Sequence, residues 1–232
     1  MISDPEFFFN TSSLSNREHS KSIDKILGFR ILKIERKLIQ QFKAFYVEES
    51  NTTKKIFNSN DSSTETWIGL NPQVLLTPYS ELYDIFNLIA DKKIEKIIDI
   101  GCAYGRVGIV AKAFFPNVKF VGYEIVKKRI NEASRISELY HFDFSILDQN
   151  VLDQGFSLPE SSVYFIYDFS HFMHINVILN QLLDISKRRG FILVAKGDEV
   201  RSNIQLYFPQ FFINTKPIYK KDWSIFFVGS LF

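Results

Sequence analysis

The sequence predicts a three-layer α/β protein built on a largely parallel sheet, and three observations predict it. From Pro78 onward, short apolar runs alternate with amphipathic helical segments, the pattern of βαβ units. The run at 96–100 is dense in isoleucine, as a strand buried on both faces requires. A turn bearing Gly101 and Gly105 follows at once and leads into a new helical pattern, an order that lets the backbone pass close to a ligand.

The elements follow in order. Residues 22–46 carry Ile23, Leu27, Ile31, Ile34, Leu38, Phe42 and Phe45 at helical spacing, which predicts one long amphipathic helix. Its Lys25, Arg30, Lys33, Arg36, Lys37 and Lys43 are read as a solvated outer face. The polar stretch 58–64 predicts a loop and sets the expected boundary between an N-terminal helical extension, 1–65, and a main domain, 66–232. A helix over 80–90 then leads to the first strand. After the glycine turn, Val107, Val110, Ala111 and Phe114 line the inner side of a helix over 106–115, which Pro116 ends. Strands follow at 119–123, 142–147, 163–167 and 191–195, with helices over 126–140 and 175–186. Two last strands, at 211–215 and 223–229, are expected to pair antiparallel as a C-terminal hairpin.

A chain of 232 residues suits one α/β domain plus an extension, and 46% apolar with 16% aromatic residues describes a folded protein. The net charge of +2 is too small to attract a polyanion by overall charge. Cys102 is the single cysteine, so no intrachain disulfide forms, and no Cys/His cluster has ligand spacing, so no metal site is expected. No basic segment followed by an apolar core opens the chain, and no run of about 18 apolar residues occurs. The expectation is a cytoplasmic protein without a membrane partner; the sequence does not specify an oligomeric state.

In open α/β sheets ligands bind beyond the carboxyl ends of the strands, and polar residues stand at four such ends here. After the first strand, Gly101 and Gly105 admit a ligand to the backbone, and the helix opening at Arg106 offers free N–H groups to a carboxylate. Asp99 is placed to orient the loop or pair with an ammonium group. Glu124 ends the second strand about twenty residues beyond the loop, where a carboxylate accepts ribose hydroxyls. After the third strand Asp148, Gln149 and Asn150 are alternatives for an adenine amine, and Asn150 is preferred because Val151 beside it packs against the base. The fourth strand ends in Asp168, Phe169, Ser170 and His171. Cys102 is read as a small side chain packed beneath the ligand rather than as a nucleophile.

The run Ile98-Asp99-Ile100-Gly101-Cys102-Ala103-Tyr104-Gly105-Arg106, then Val121-Gly122-Tyr123-Glu124, then Tyr167-Asp168-Phe169, resembles the class I SAM-dependent methyltransferase superfamily over residues 77–232. The resemblance implies a Rossmann-like seven-stranded sheet, told from the dinucleotide-binding sheet by its terminal hairpin. It also implies S-adenosyl-L-methionine (SAM) as cofactor, held by the 99–106 loop, including Cys102, Ala103 and Tyr104, and by Glu124, Asn150 and Val151. Pro78-Tyr79-Ser80-Glu81 is similar to the segment ahead of strand one in the seven-strand protein-lysine methyltransferases, including the non-SET histone enzymes. There a Tyr/Glu segment closes over the cofactor's amino-acid end, and an Asn-Phe-like pair after strand four sits at the methyl group. That resemblance gives Tyr79 and Glu81 the first role and Asp168 with Phe169 the second. The chain departs from the superfamily in Ala103, where a third glycine is common, and from the histone enzymes in Asp168, where they have asparagine.

Methyl transfer is an in-line displacement governed by proximity and orientation, so no covalent nucleophile is needed. For an amine acceptor, Asp168, His171 or a backbone carbonyl near them is suited to help it lose a proton, and Phe169, Phe172 and Tyr104 to wall a channel for a cation. The expected acceptor is a protein lysine or other amine; the alternative is a small molecule or RNA. Protein or small molecule is favoured over nucleic acid, because neither the Asn-Pro-Pro-Tyr signature nor the Lys-Asp-Lys-Glu tetrad of nucleic-acid enzymes can be placed. A nicotinamide oxidoreductase fits less well, since position 103 lacks the glycine that admits a pyrophosphate and Arg106 replaces the fingerprint's last glycine. A catalytically silent module of the same fold would not need polar groups at all four strand ends.

Overall fold

The structure, a computed structural model, describes residues 2–49, 67–213 and 215–229, and of 42–49 the backbone alone. The expected loop at 58–64, the 65/66 boundary and the side chains of Phe42, Lys43 and Phe45 lie outside the described residues.

Seven strands form one sheet: β1 (Lys96–Ile100), β2 (Lys119–Glu124), β3 (Phe144–Asp148), β4 (Val163–Tyr167), β5 (Phe191–Lys196), β6 (Ile218–Tyr219) and β7 (Trp223–Val228). Their order is β3-β2-β1-β4-β5-β7-β6. The first five are parallel, while β7 runs antiparallel to both β5 and β6. Successive residues of a strand face opposite ways, and the core divides accordingly. Ile97, Val163, Phe165, Ile192, Val194 and Ile225 join one cluster with α4 (Tyr79–Asn87) and α5 (Arg106–Phe114). Ile98, Ile100, Tyr164, Ile166, Leu193 and Phe226 join another with α7 (Phe172–Ser186) and α8 (Asp198–Tyr207). The chain leaves β1 toward β2 on one side and reaches β4 on the other, so the switch point lies at the carboxyl ends of β1 and β4.

Two expectations need correction. The single helix over 22–46 is two helices, α1 (Asn16–Ile26) and α2 (Ile31–Glu49). Ser15 and Glu18 form a capping box that starts α1 well before residue 22. Gly28, at φ 75°, ends it in the left-handed region and redirects the chain. Ile23 of α1 and Leu27 just after it, with Phe8, join the same cluster as α4 and α5. The C-terminal hairpin is present, but its first strand is Ile218–Tyr219 rather than 211–215. Pro209 opens a 3-10 turn over Pro209–Phe211, and Phe211 is buried edge-on to Phe191 and stacked on Phe208. Helix α8, which the sequence reading did not name, fills the connection from β5.

Candidate functional site

The loop after β1 turns over the end of β2, because the N–H groups of Gly101 and Cys102 both donate to the Tyr123 carbonyl at 3.0 Å. Gly101 and Ala103 adopt left-handed conformations, φ 75° and 48°, and Gly105 caps α5. A cavity of about 220 Å³ opens at this point. Its floor is Gly101 and Ala103, one side is Glu124, Asn150 and Val151, and the other is Asp168 and Phe169. Seven of the residues singled out in the sequence, from the carboxyl ends of four strands, thus share one cleft at the switch point.

The cover comes from a segment the sequence reading left unassigned: Trp67, Leu70, and Val74 and Leu75 of the short helix α3 (Pro72–Leu75). Two hydrogen bonds tie it to the end of β4, from Trp67 Nε1 to the Phe169 carbonyl (3.0 Å) and from the Tyr167 hydroxyl to the Val74 carbonyl (2.8 Å). Arg129, on α6 (Lys127–Leu139), also lines the cleft and was missed. A buried arginine on an otherwise polar helix leaves no pattern in the sequence.

The carboxylate of Glu124 accepts from the N–H groups of Ile125 (2.7 Å) and Val126 (2.8 Å) through Oε1, which fixes its direction. Asn150 Oδ1 accepts from Leu152 N–H at 3.0 Å. Asp168 accepts from the N–H groups of Glu199 (3.2 Å) and Val200 (2.9 Å) and so holds the first turn of α8, while burial raises its pKa.

The other residues singled out lie around the cleft rather than in its lining. Tyr79 is fully buried, its hydroxyl donating to Asp24 (3.1 Å) and its ring under the Arg106 guanidinium at 4.8 Å. Arg106 is paired with Asp24 of α1 through Nε and Nη2. Tyr104 donates to Glu35 of α2 at 2.7 Å. Glu81 pairs with Lys196. His171 is exposed at the start of α7, its ring 3.8 Å from that of His174. Cys102 is buried against β2, its Sγ standing 2.5 Å from where a side chain on Gly122 would begin. Burial first, then the nearby Asp99 and Glu124, hold its thiol well above the usual range, so it packs as a neutral group.

Asp99 is 3% exposed, and burial first, then Glu124, push its carboxyl well up. A raised folded-state pKa makes this group's stabilisation complete below the unfolded value of about 3.9 and lost as pH rises through the folded value. Asp99→Asn, which cannot ionise, is expected to gain thermal stability relative to the parent as pH increases from 5 to 8. A melting-temperature difference that is flat or shrinks over that range would contradict the assignment.

The fold superposes on those of two solved structures. One is an SAH-bound methyltransferase of Podospora anserina, with TM-score 0.53 and 13% identity, covering 70% of this chain and 83% of that one. The other is the C-terminal domain of precorrin-6Y C5,15-methyltransferase from Rhodobacter capsulatus, with TM-score 0.50 and 13% identity, covering 66% and 90%. The fold is that of the class I SAM-dependent methyltransferases. Within this methyltransferase fold the cleft occupies the carboxyl ends of β1, β2, β3 and β4, the place where open α/β sheets bind ligands. In sequence the chain is similar to ribosomal RNA small subunit methyltransferase G of Mycoplasma capricolum, 29% identical over 113 residues. That similarity covers 48% of this chain and 47% of the relative, about half the length of each. No protein-family model matches the sequence. Among the described residues no helix is long and apolar enough to cross a membrane, and no group of His, Cys, Asp and Glu has the arrangement of a metal site.

Proposed function

We propose that the protein is a SAM-dependent methyltransferase acting on an amine of a protein, such as a lysine, or of a small molecule. The observation that carries the cofactor reading is the convergence of Gly101, Ala103, Glu124 and Asn150 on one covered cleft. The residues present suit the group: Gly101, whose missing side chain lets it pack directly on Phe169, and Ala103 leave the loop small beside the Glu124 carboxylate and the Asn150 amide. In this reading Glu124 takes the ribose hydroxyls, Asn150 and Val151 the adenine, and the Gly101–Gly105 loop the amino-acid end. When bound, SAM supplies a methyl group already joined to a good leaving group. The chain's own residues hold the acceptor in line and exclude water.

The acceptor reading rests on a second cavity, which shares Val74, Tyr167 and Asp168 with the cleft. Its lining carries the carboxylates of Glu81, Asp168, Asp198 and Asp222 against the cations Arg17 and Lys196, an excess of negative charge that suits an ammonium group. Tyr167, with Lys196 Nζ 5.0 Å from its ring centroid, already presents a π face to one cation here. An amine must lose a proton before attack, and the Asp168 carboxylate stands between the two cavities to receive it. Asp168→Asn removes the base and keeps one of the two acceptor oxygens that cap α8. It is expected to bind SAH as the parent does and to turn over at least about tenfold more slowly. Unchanged turnover would remove Asp168 from the chemistry.

A second reading, an RNA acceptor, is favoured by the similarity to a ribosomal RNA methyltransferase and by a groove between α2 and α6. Arg30, Lys33, Lys37, Lys128 and Arg135 line that groove, a charge pattern that suits phosphates. A cytoplasmic setting accords with the lone buried thiol. Calorimetry of the full chain with SAH and with NADH tests the cofactor; binding of NADH and not SAH would overturn the reading. Labelled SAM incubated with the protein and a cell lysate, then fractionated, tests the acceptor. Label is expected in protein or small amines, and label confined to RNA would put the second reading in its place.

A further inference from the structure

The N-terminal helices reach the proposed cofactor site through groups that a solvated extension has no need to bury. Glu35 of α2 is 2% exposed and sits among the charged residues read as an outer face. Its carboxylate accepts from Arg129 on two prongs, Nε at 2.9 Å and Nη2 at 3.2 Å. Oε1 also accepts from the Tyr104 hydroxyl at 2.7 Å. Tyr104 belongs to the glycine loop, and Arg129 lines the cleft beside Glu124. Burial and the charge of Glu35 hold the Tyr104 phenol well above its ordinary range, so it remains a donor. One turn earlier in α2, Ile31 joins Leu76, Ala103 and Tyr104 in a small apolar cluster under the cover.

We infer that α2 is part of the cofactor site and that Glu35 is a positioning residue, aiming the Arg129 guanidinium into the cleft and fixing the loop through Tyr104. The inference rests on the SAM reading given above. A planar guanidinium held by a forked carboxylate keeps one orientation, and removing that carboxylate takes two hydrogen bonds from Arg129 while leaving its charge. The loop carries Ala103 in a left-handed conformation, which persists where surrounding contacts over-determine it. Glu35 and Ile31 supply two of those contacts from outside the sheet.

The same helix interface offers a control. Glu132 accepts from the Arg30 backbone N–H and pairs with Arg135, so it also joins the α1–α2 segment to α6, with neither partner in the cleft. In the full-length protein Glu35→Gln is expected to weaken SAH binding at least tenfold by calorimetry. It is also expected to speed amide hydrogen exchange over residues 102–105 in the absence of SAH. Glu132→Gln is expected to change neither by more than about twofold. Glu35→Asp, which keeps the charge, is expected to bind SAH more tightly than Glu35→Gln and to keep the fold should the glutamine variant lose it. Unchanged affinity and exchange in Glu35→Gln, equal losses in Glu132→Gln, or no recovery with aspartate would each overturn the inference. Failure of the unaltered protein to bind SAH would instead overturn the methyltransferase reading, and loop exchange in Glu35→Gln would still report whether α2 positions the loop.

Discussion

Gly101→Ala is expected to reduce SAH affinity by a factor on the order of 30 to 1,000 while most of the global stability remains. Two costs combine at this position. An L-residue at φ 75° pays about 1–2 kcal/mol for the left-handed backbone. The new methyl group would also begin 2.7 Å from Phe169 Cβ. That atom is not the loose end of a side chain, because the Phe169 carbonyl is held by the Trp67 indole at 3.0 Å. Relief must therefore move Phe169 and Trp67, a wall and the cover of the cleft. The sum is about 2–4 kcal/mol against the competent geometry, and about 1.4 kcal/mol is tenfold in binding. Gly28→Ala separates the two costs, since Gly28 has the same φ of 75° with no atom within 4 Å of the added methyl group. It is expected to lose stability by the backbone cost and to leave SAH affinity intact. Equal affinity in the two variants, read by calorimetry, would show that the contact with Phe169 has no part in the site.

Arg106→Ala is expected to destabilise the whole protein by about 3–5 kcal/mol, the range for breaking a buried ion pair from one side. The Arg106 side chain is 2% exposed and that of Asp24 11%, so the remaining carboxylate would keep little water. Arg106 also donates to the Thr77 carbonyl and lies over the Tyr79 ring, so one deletion loosens α1, α4 and α5 together. At an m-value of about 2 kcal/mol per molar urea, the unfolding midpoint should fall by about 1.5 to 2.5 M. A shift below about 0.5 M would mean that solvent reaches this pair far more than its burial indicates.

The strand ends were legible because their chemistry is local. A run of isoleucines, a glycine turn and an acidic residue at the end of the next strand are read within a few tens of residues, and the structure brings Gly101, Ala103, Glu124 and Asn150 together. The break between α1 and α2 was legible too, since the Ser15 and Glu18 capping box and Gly28 both stand in the sequence, yet the longer apolar period outweighed them. At 211–215 a cluster of phenylalanines imitates a strand, and Pro209 is the signal that it is a turn. What could not be read is pairing over distance. Asp24 meets Arg106 across 82 residues and Glu35 meets Arg129 across 94, and a buried acid among surface lysines has the same spacing as an exposed one. The cover was hidden for a related reason: Trp67 and Val74 acquire their place only through bonds to the end of β4.

That cover gives the molecule an optical gauge of its own. The chain has two tryptophans. Trp223 is 4% exposed within the sheet and does not line the cleft. Trp67 is half-buried at the mouth, its indole bonded to the backbone that any occupant must pass. Of the two indoles only that of Trp67 lines the cleft, so a change in its emission reports filling of the cleft in the unlabelled protein.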